Sequence, residues 1–442
     1  MAQPDAAVRD TDVLVIGAGP GGSTIAALLA QRGHQVALLE KGHHPRFHIG
    51  ESLLPANLPL FDALGVGEQV RSIGMMKLGA EFVSPRDGRR QEFLFADAWD
   101  KSMPYAYQVR RSQFDEILAR NAVRLGAQLH EGCRVRSVEF AEGQWPVRVQ
   151  AQREDGAGEH WRARFVVDAS GRDTLLATQL ADKRRNVRHN SAAVFGHFSG
   201  ARRYEGDREG HISIFWFDHG WFWFIPLADG ATSVGAVIWP YYLKSRTQPV
   251  RDFFLATIAL CPPLAERLDT ATLISEVEAT GNYSYSARRS HGRHYLLVGD
   301  AYAFIDPVFS SGVMLAMKCA FAGAETIDEC LRSPGRARAA LRRYDRVARH
   351  GPRAFAWFIY RVTSPTMRDL FMEPANPMRM KEALLSVLAG DIFGHTPIWR
   401  AIWALKWVYR LMSLCNPRRS ASAIRRRRMN IRPAGDGPMP AR

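Results

Sequence analysis

The chain has 442 residues, 46% of them hydrophobic and 23% charged, which is the composition of a soluble globular protein with room for two intertwined domains and a terminal extension. Seven of the fifteen excess positive charges lie between Arg418 and Arg432; a nucleic-acid enzyme would spread them over a folded face, so nucleic-acid binding is set aside. Five cysteines without a C-x-x-C pair exclude a disulfide framework, and no signal-peptide pattern or membrane-length apolar window is read, so buried free thiols and a cytoplasmic location are expected.

In chain order, residues 12–16 (DVLVI) have the pattern of a buried parallel strand. Gly17-Ala18-Gly19-Pro20-Gly21-Gly22 follows and opens an alanine- and leucine-rich helix ending near Gly33. A second strand, Val36 to Leu39, ends on Glu40 and completes a βαβ unit. Residues 47–72 read as loop and helix, 77–110 as short strands, and Phe114 to Gly126 as helix. Strand patterns recur at 133–150 and 161–168. From 190 to 240 aromatic and β-branched residues alternate, as in an antiparallel sheet that would form a substrate layer. Residues 294–299 form another buried strand and Gly312 to Leu331 a helix. Beyond Pro352 the chain is helical and rich in Trp, Phe and Met, and its last residues read as a basic disordered tail. The expected division is a nucleotide-binding domain (10–185 and 285–335), a substrate sheet (186–284, with strands near 77–110), a helical lid (336–416) and a tail (417–442).

A lone G-x-G-x-x-G is weak evidence, but here it sits between strand and helix, with an acid closing the next strand. Gly17 permits the tight turn, Gly19 lets a diphosphate approach backbone N–H groups, and Gly22 lets helix and strand pack closely. Glu40 can accept from both hydroxyls of an adenosine ribose.

Later segments carry a resemblance. Leu297-Val298-Gly299-Asp300-Ala301 is similar to the second flavin motif of the para-hydroxybenzoate-hydroxylase-like superfamily, whose aspartate binds the ribityl chain. Val109 to Asp115 resembles its segment with a flavin-contacting arginine, here Arg111, and Asp168 to Arg172 resembles its Asp-Ala-Ser-Gly turn. The resemblance implies an α/β fold, with a Rossmann-type FAD-binding domain interleaved with an antiparallel-sheet substrate domain and followed by a C-terminal helical region. FAD would be held by Gly17, Gly19, Gly22, Glu40, Lys41, Ser52, Arg111, Val135, Gly299 and Asp300.

Trp221-Phe222-Trp223-Phe224-Ile225-Pro226 reads W-x-W-x-I-P, the signature of flavin-dependent halogenases. Pro45 to Pro55 and Asp306 to Gly312 resemble segments of their phenol- and pyrrole-acting branch, and Lys77 matches the family's catalytic lysine. The resemblance covers roughly residues 10–330. It implies that FADH2, O2 and chloride or bromide yield hypohalous acid, which chlorinates or brominates an electron-rich aromatic, free or on an acyl carrier protein, in secondary metabolism. A separate reductase would supply FADH2. Ser311-Gly312, opening a helix, would offer N–H groups to halide. Lys77 would act either as an ammonium that polarises the hypohalous acid or as a neutral amine that forms a haloamine. Trp221 and Trp223 would keep substrate from the flavin; on a strand they would share one face and fit equally among core aromatics. Phe309 stands where tryptophan halogenases carry a glutamate, which argues against free tryptophan.

Two other flavin chemistries compete: an aromatic hydroxylase of the same superfamily, and a geranylgeranyl-reductase-like enzyme acting on a lipid. In the C-terminal region residues 371–395 resemble flavoproteins of aryl-polyene pigment clusters. Residues 396–415 fit a helix capped by Thr396, read either as a lid with its cations facing water or as a peripheral anchor at the inner face of the membrane.

Overall fold

The computed structural model describes residues 8–431, apart from 86–87, 141–146, 187–188, 282–283 and 375 and the side chains of 420 and 426–431. The chain folds as two compact units, each assembled from separated stretches. Residues 1–76, 106–184 and 285–355 make the first; 77–105, 185–284 and 356–442 make the second.

The first unit is built on a mixed sheet. Its parallel part runs Gln128–His130, Val36–Leu39, Val8–Ile16, Gly158–Asp168 and Tyr295–Leu297. Val36–Leu39, Tyr295–Leu297 and the C-terminal halves of Val8–Ile16 and Gly158–Asp168 are buried, mostly apolar runs because helices cover them, Pro20–Gln31 and Gly312–Arg332 among them. The Gly158–Asp168 strand has Val8–Ile16 along one side and two neighbours along the other. Its first half pairs antiparallel with Val147–Arg153, and its last three residues pair with Tyr295–Leu297.

The second unit centres on an antiparallel sheet ordered Ala192–Ser199, Thr232–Ile238, Gly220–Pro226, Ile212–Phe217, Gly79–Val83 and Arg90–Leu94. One pair, Ile212–Phe217 with Gly79–Val83, is parallel. Alternation assigns the two faces. Phe215, Phe217, Phe222 and Phe224 meet Phe253, Phe254 and Leu264 from two short helices, while Ile214, Trp216, Trp221 and Trp223 take the other face. Part of that second face is closed by Phe371, whose ring lies edge-on to Phe82 at 4.8 Å and to Trp216 at 6.5 Å.

Residues 77–105 fall in the unit of the substrate sheet, where Gly79–Val83 pairs with a strand more than a hundred residues later. Two expectations are corrected. Residues 336–355 belong to the first unit rather than to a separate lid. Residues 417–431, expected to be disordered from their charge, form the helix Pro417–Ile431, anchored where Arg419 grips Asp369 in a bidentate pair at 2.6 and 3.2 Å. Arginine is a good helix former, so charge density alone misjudged this segment. Four of the cysteines are buried as free thiols, but Cys415 is exposed.

Candidate active site

The parallel strands of the first unit finish at one edge. Val298 N donates to Asp168 O, Ala169 N to Ile16 O, Gly17 N to Leu39 O, and Glu40 N to His130 O. The segments that follow these strands therefore lie side by side, at the carboxyl edge where such sheets bind ligands.

Gly17 has φ +94°, and a Cβ on it would stand 2.6 Å from Ala169 O; on Gly22 it would stand 1.8 Å from Gly17 O. Strand, turn and helix close on one another only with glycine at both positions. Gly19 differs. A Cβ there would meet only Arg46 Nη2, at 3.9 Å, which leaves a cradle at the N-terminus of a helix without a side-chain cap. A diphosphate fits that cradle.

Glu40 is buried and braces the same turn. Its Oε2 accepts from Ala18 N at 2.8 Å and from Arg46 at 3.1 Å, and Oε1 accepts from Gly42 N at 3.1 Å. A carboxylate has further lone pairs for ribose hydroxyls. Val135 is buried at a strand irregularity two residues beyond Cys133, whose N–H donates to Glu40 O at 2.8 Å.

Arg111 is more enclosed than a flavin contact requires. It grips Asp115 bidentately at 2.8 and 3.0 Å and donates to Ile49 O at 3.0 Å, so it ties the 46–50 loop to its own helix. Its guanidinium, with burial, holds His48 down at about 4, so that ring is neutral at pH 7. Arg46 reaches Asp115 at 3.5 Å as well as Glu40. Sequence reasoning missed Arg46 and Asp115; the one local signal was the i,i+4 spacing of Arg111 and Asp115.

Asp300 sits just past Leu297 at the sheet edge. Its backbone carbonyl accepts from the Tyr285 hydroxyl at 3.0 Å, and burial pushes its carboxyl up to about 6, against the pull of Arg111 and Arg172. A desolvated acceptor of this kind fits the hydroxyls of a ribityl chain. Of the remaining expected contacts, Ser52 is buried in an isolated bridge with Gln108, and Lys41 is on the surface, paired with Asp173 at 2.5 Å.

Ser310, at φ +54°, turns the chain so that Ser311 and Gly312 open the helix Gly312–Arg332. No side chain caps this helix, and its first hydrogen bond runs from Leu315 N to Ser311 O, so the N–H groups of Gly312, Val313 and Met314 have no partner within it. Gly299 packs on the same helix; a Cβ on it would lie 2.8 Å from that of Ala316, one turn on from Gly312. The proposed halide residues and the Gly299-Asp300 turn are therefore neighbours. Phe309 is buried beside them, 6.5 Å from the ring of Phe355.

Lys77, Trp221 and Trp223 belong to the second unit. Lys77 is 1% exposed, its Nζ stands 5.3 Å from the centre of the Phe95 ring, and burial pushes its ammonium down from 10.5 to about 7. Against Gly79, two residues on from Lys77, lies His211, buried and held down by desolvation, its Nδ1 3.0 Å from Glu92 Oε1 at an angle outside hydrogen-bond geometry. A lone histidine in sequence gives no hint of that. Trp221 and Trp223 are buried on one face with ring centres 6.1 Å apart. Trp223 lies flat across Gly235, where a Cβ would stand 2.2 Å from its ring, and donates to Ser233 Oγ at 3.2 Å.

The FAD binding domain family matches residues 10–356. A flavin-dependent halogenase of Armillaria mellea is 36% identical over 346 residues, covering 73% of this chain and 68% of that protein. This chain belongs to the flavin-dependent halogenases. It is an enzyme of the α/β FAD-binding fold, and FAD is its cofactor. A tryptophan 2-halogenase of Chondromyces crocatus is 38% identical over 72% of this chain and 61% of that protein. The chain thus spans only about two thirds of the length of these two relatives. A 1H-pyrrole-2-carbonyl peptidyl-carrier-protein chlorinase of Pseudomonas fluorescens is 29% identical, over 87% of this chain and 90% of that one. Among solved structures, the myxobacterial chondrochloren halogenase superposes with TM-score 0.76 at 32% identity, covering 89% of this chain and 93% of that one. A flavoprotein/dehydrogenase of Cytophaga hutchinsonii superposes with TM-score 0.83 at 27% identity, covering 92% and 100%.

Proposed function

We propose that this halogenase installs chlorine or bromine on an electron-rich aromatic ring, phenolic, pyrrolyl or aryl-polyene, with Lys77 as its catalytic residue. The observation that carries the reading is the burial of Lys77: an amine withdrawn from water and held near neutrality, on the unit that also carries the Trp221–Trp223 face. Bound FAD, reduced and meeting dioxygen, supplies the oxidising power that turns halide into hypohalous acid. Gly17, Gly19, Gly22 and Glu40 would hold its adenosine diphosphate part, Asp300 its ribityl chain, and Ser311-Gly312 the halide. Lys77 presents an N–H donor or an amine to a small neutral oxidant, which it can orient and polarise. Trp221 and Trp223 would keep the substrate from the flavin.

Phe309 bears on the substrate. With no carboxylate at this position to take the proton from the halogenated ring, the ring must be activated by its own substituents. Phenols and pyrroles are. The pyrrole chlorinase relative favours a ring presented on a carrier protein, and the tryptophan 2-halogenase relative acts on an indole. The partners we infer are a separate flavin reductase, the aromatic substrate, free or carrier-bound, and a membrane touched peripherally by the C-terminus. No helix among the described residues is long and apolar enough to cross a membrane.

The test is to supply FADH2 from an added reductase, with bromide or chloride and a panel of phenols, pyrroles and polyenes, and to read halogen isotope patterns by mass spectrometry. Halogenated product is expected. Hydroxylated or alkene-reduced product without halogen would overturn the reading.

A further inference from the structure

The helix Ile398–Cys415 is amphipathic in an unusual sense. Ile398, Ala401, Ile402 and Leu405 are buried within the second unit, and Tyr409 of the same helix sits with its ring edge-on to Trp357 at 5.4 Å. The face turned to solvent ought to be polar. Instead it carries Trp399, Trp403, Trp407, Leu411 and Leu414, exposed by 40, 64, 43, 56 and 74%. At 100° per residue these five positions fall within about 120° of arc, and Arg400 and Arg410 fall inside the same arc. The helix docks by the side that carries its aliphatic residues and Tyr409, and leaves its tryptophans on the solvent side, where a lid packed through them would not.

Charge points to what covers this stripe. Between Ile398 and Ile431 the sequence has nine Arg or Lys residues and no Asp or Glu. The arginine run at 425–428 begins with the exposed Arg425; the side chains of 426–428 lie outside the described residues. Rows of tryptophan one turn apart, flanked by leucine and cations, match the headgroup level of a bilayer, where indole rings sit at the boundary and arginine meets lipid phosphate. Arg410 already lies 5.0 Å from the Trp407 ring, so cation and aromatic are presented together.

We propose that Trp399, Trp403, Trp407, Leu411 and Leu414, with Arg400 and Arg410, form an interfacial face that seats this enzyme on an anionic lipid surface. This rests on the peripheral contact inferred above, names its residues and lipid charge, and is independent of the halogenation chemistry. The test uses full-length, FAD-loaded protein co-sedimented with vesicles of phosphatidylcholine alone or mixed equally with phosphatidylglycerol. Wild type pellets with the mixed vesicles at low salt and stays in the supernatant with phosphatidylcholine. Trp403→Glu combined with Leu411→Glu abolishes pelleting, and Arg400→Gln with Arg410→Gln weakens it by about fivefold per cation removed. Both variants change solvent-exposed positions and keep FAD content and turnover of a soluble aromatic substrate. Three results overturn the proposal: wild type in the supernatant with both vesicles, unaltered pelleting of the Trp403–Leu411 variant, or capture of an acidic carrier protein by this face in place of vesicles. None of them touches the mass-spectrometric readout of halogenation, so the two readings fail separately.

Discussion

Replacing Lys77 by methionine separates what the buried amine costs the fold from what it does for the reaction. In the unfolded chain the lysine titrates near its ordinary value of 10.5; in the fold burial brings it to about 7. Between those two values the unfolded state holds one more proton at this site, so wild-type stability rises with pH across that window. Below pH 7 the folded state carries a desolvated ammonium, a penalty of at most about 5 kcal/mol for a lowering of this size. The Phe95 ring, 5.3 Å from Nζ, returns about 1 kcal/mol of that by a cation–π contact. Methionine fills a similar volume without charge. The Lys77→Met variant is therefore expected to be about 2–4 kcal/mol more stable than wild type at pH 6, with the advantage fading toward pH 10. Urea unfolding of both proteins at pH 6, 8 and 10, with FAD content measured alongside, reads this directly. Halogenated product should be lost in the same variant. A gain that does not change with pH would refute the desolvation argument, and undiminished product would refute the catalytic role. The pH profile of the wild type then chooses between two chemistries. If the ammonium acts, yield falls as pH rises through 7; if the free amine forms a haloamine, yield rises over that range.

Three other outcomes follow from the structure. Gly19→Trp, which fills the cradle where only Arg46 comes within 4 Å, should leave a folded protein without bound FAD, seen as loss of the yellow absorbance; retained stoichiometric FAD would show that the turn does not hold the diphosphate. Trp223→Ala opens the face that Gly235 lets the ring cover, and should divert part of the flux to hydroxylated product if the tryptophans screen the flavin; product and rate both unchanged would leave them as core. NADH or NADPH alone should reduce the bound FAD far more slowly than an added reductase does, in a stopped-flow absorbance assay, and rapid direct reduction would favour a hydroxylase.

The βαβ unit, its glycine turn and the acid closing the second strand were legible in sequence, because a tight turn and its close packing are set by local backbone sterics. The same holds for the alternating strands of the substrate sheet and for the helix that opens at Gly312. What tertiary structure alone decided are environments, which depend on residues far away in the chain. Lys77 becomes a group titrating near neutrality only because Phe95 and its surroundings exclude water. Arg111, expected to face the flavin, turns out to be tied to Asp115 and Ile49, and Arg46 enters the site by bridging Glu40 and Asp115. The C-terminal helix makes the same point. Its sequence left a lid and a peripheral anchor both open, and the side turned to solvent was decided by docking through Ile398, Ala401, Ile402 and Leu405. Sequence fixes what a segment can bury; only the packed partner determines which side it does bury, since the hydrophobic effect has no direction of its own.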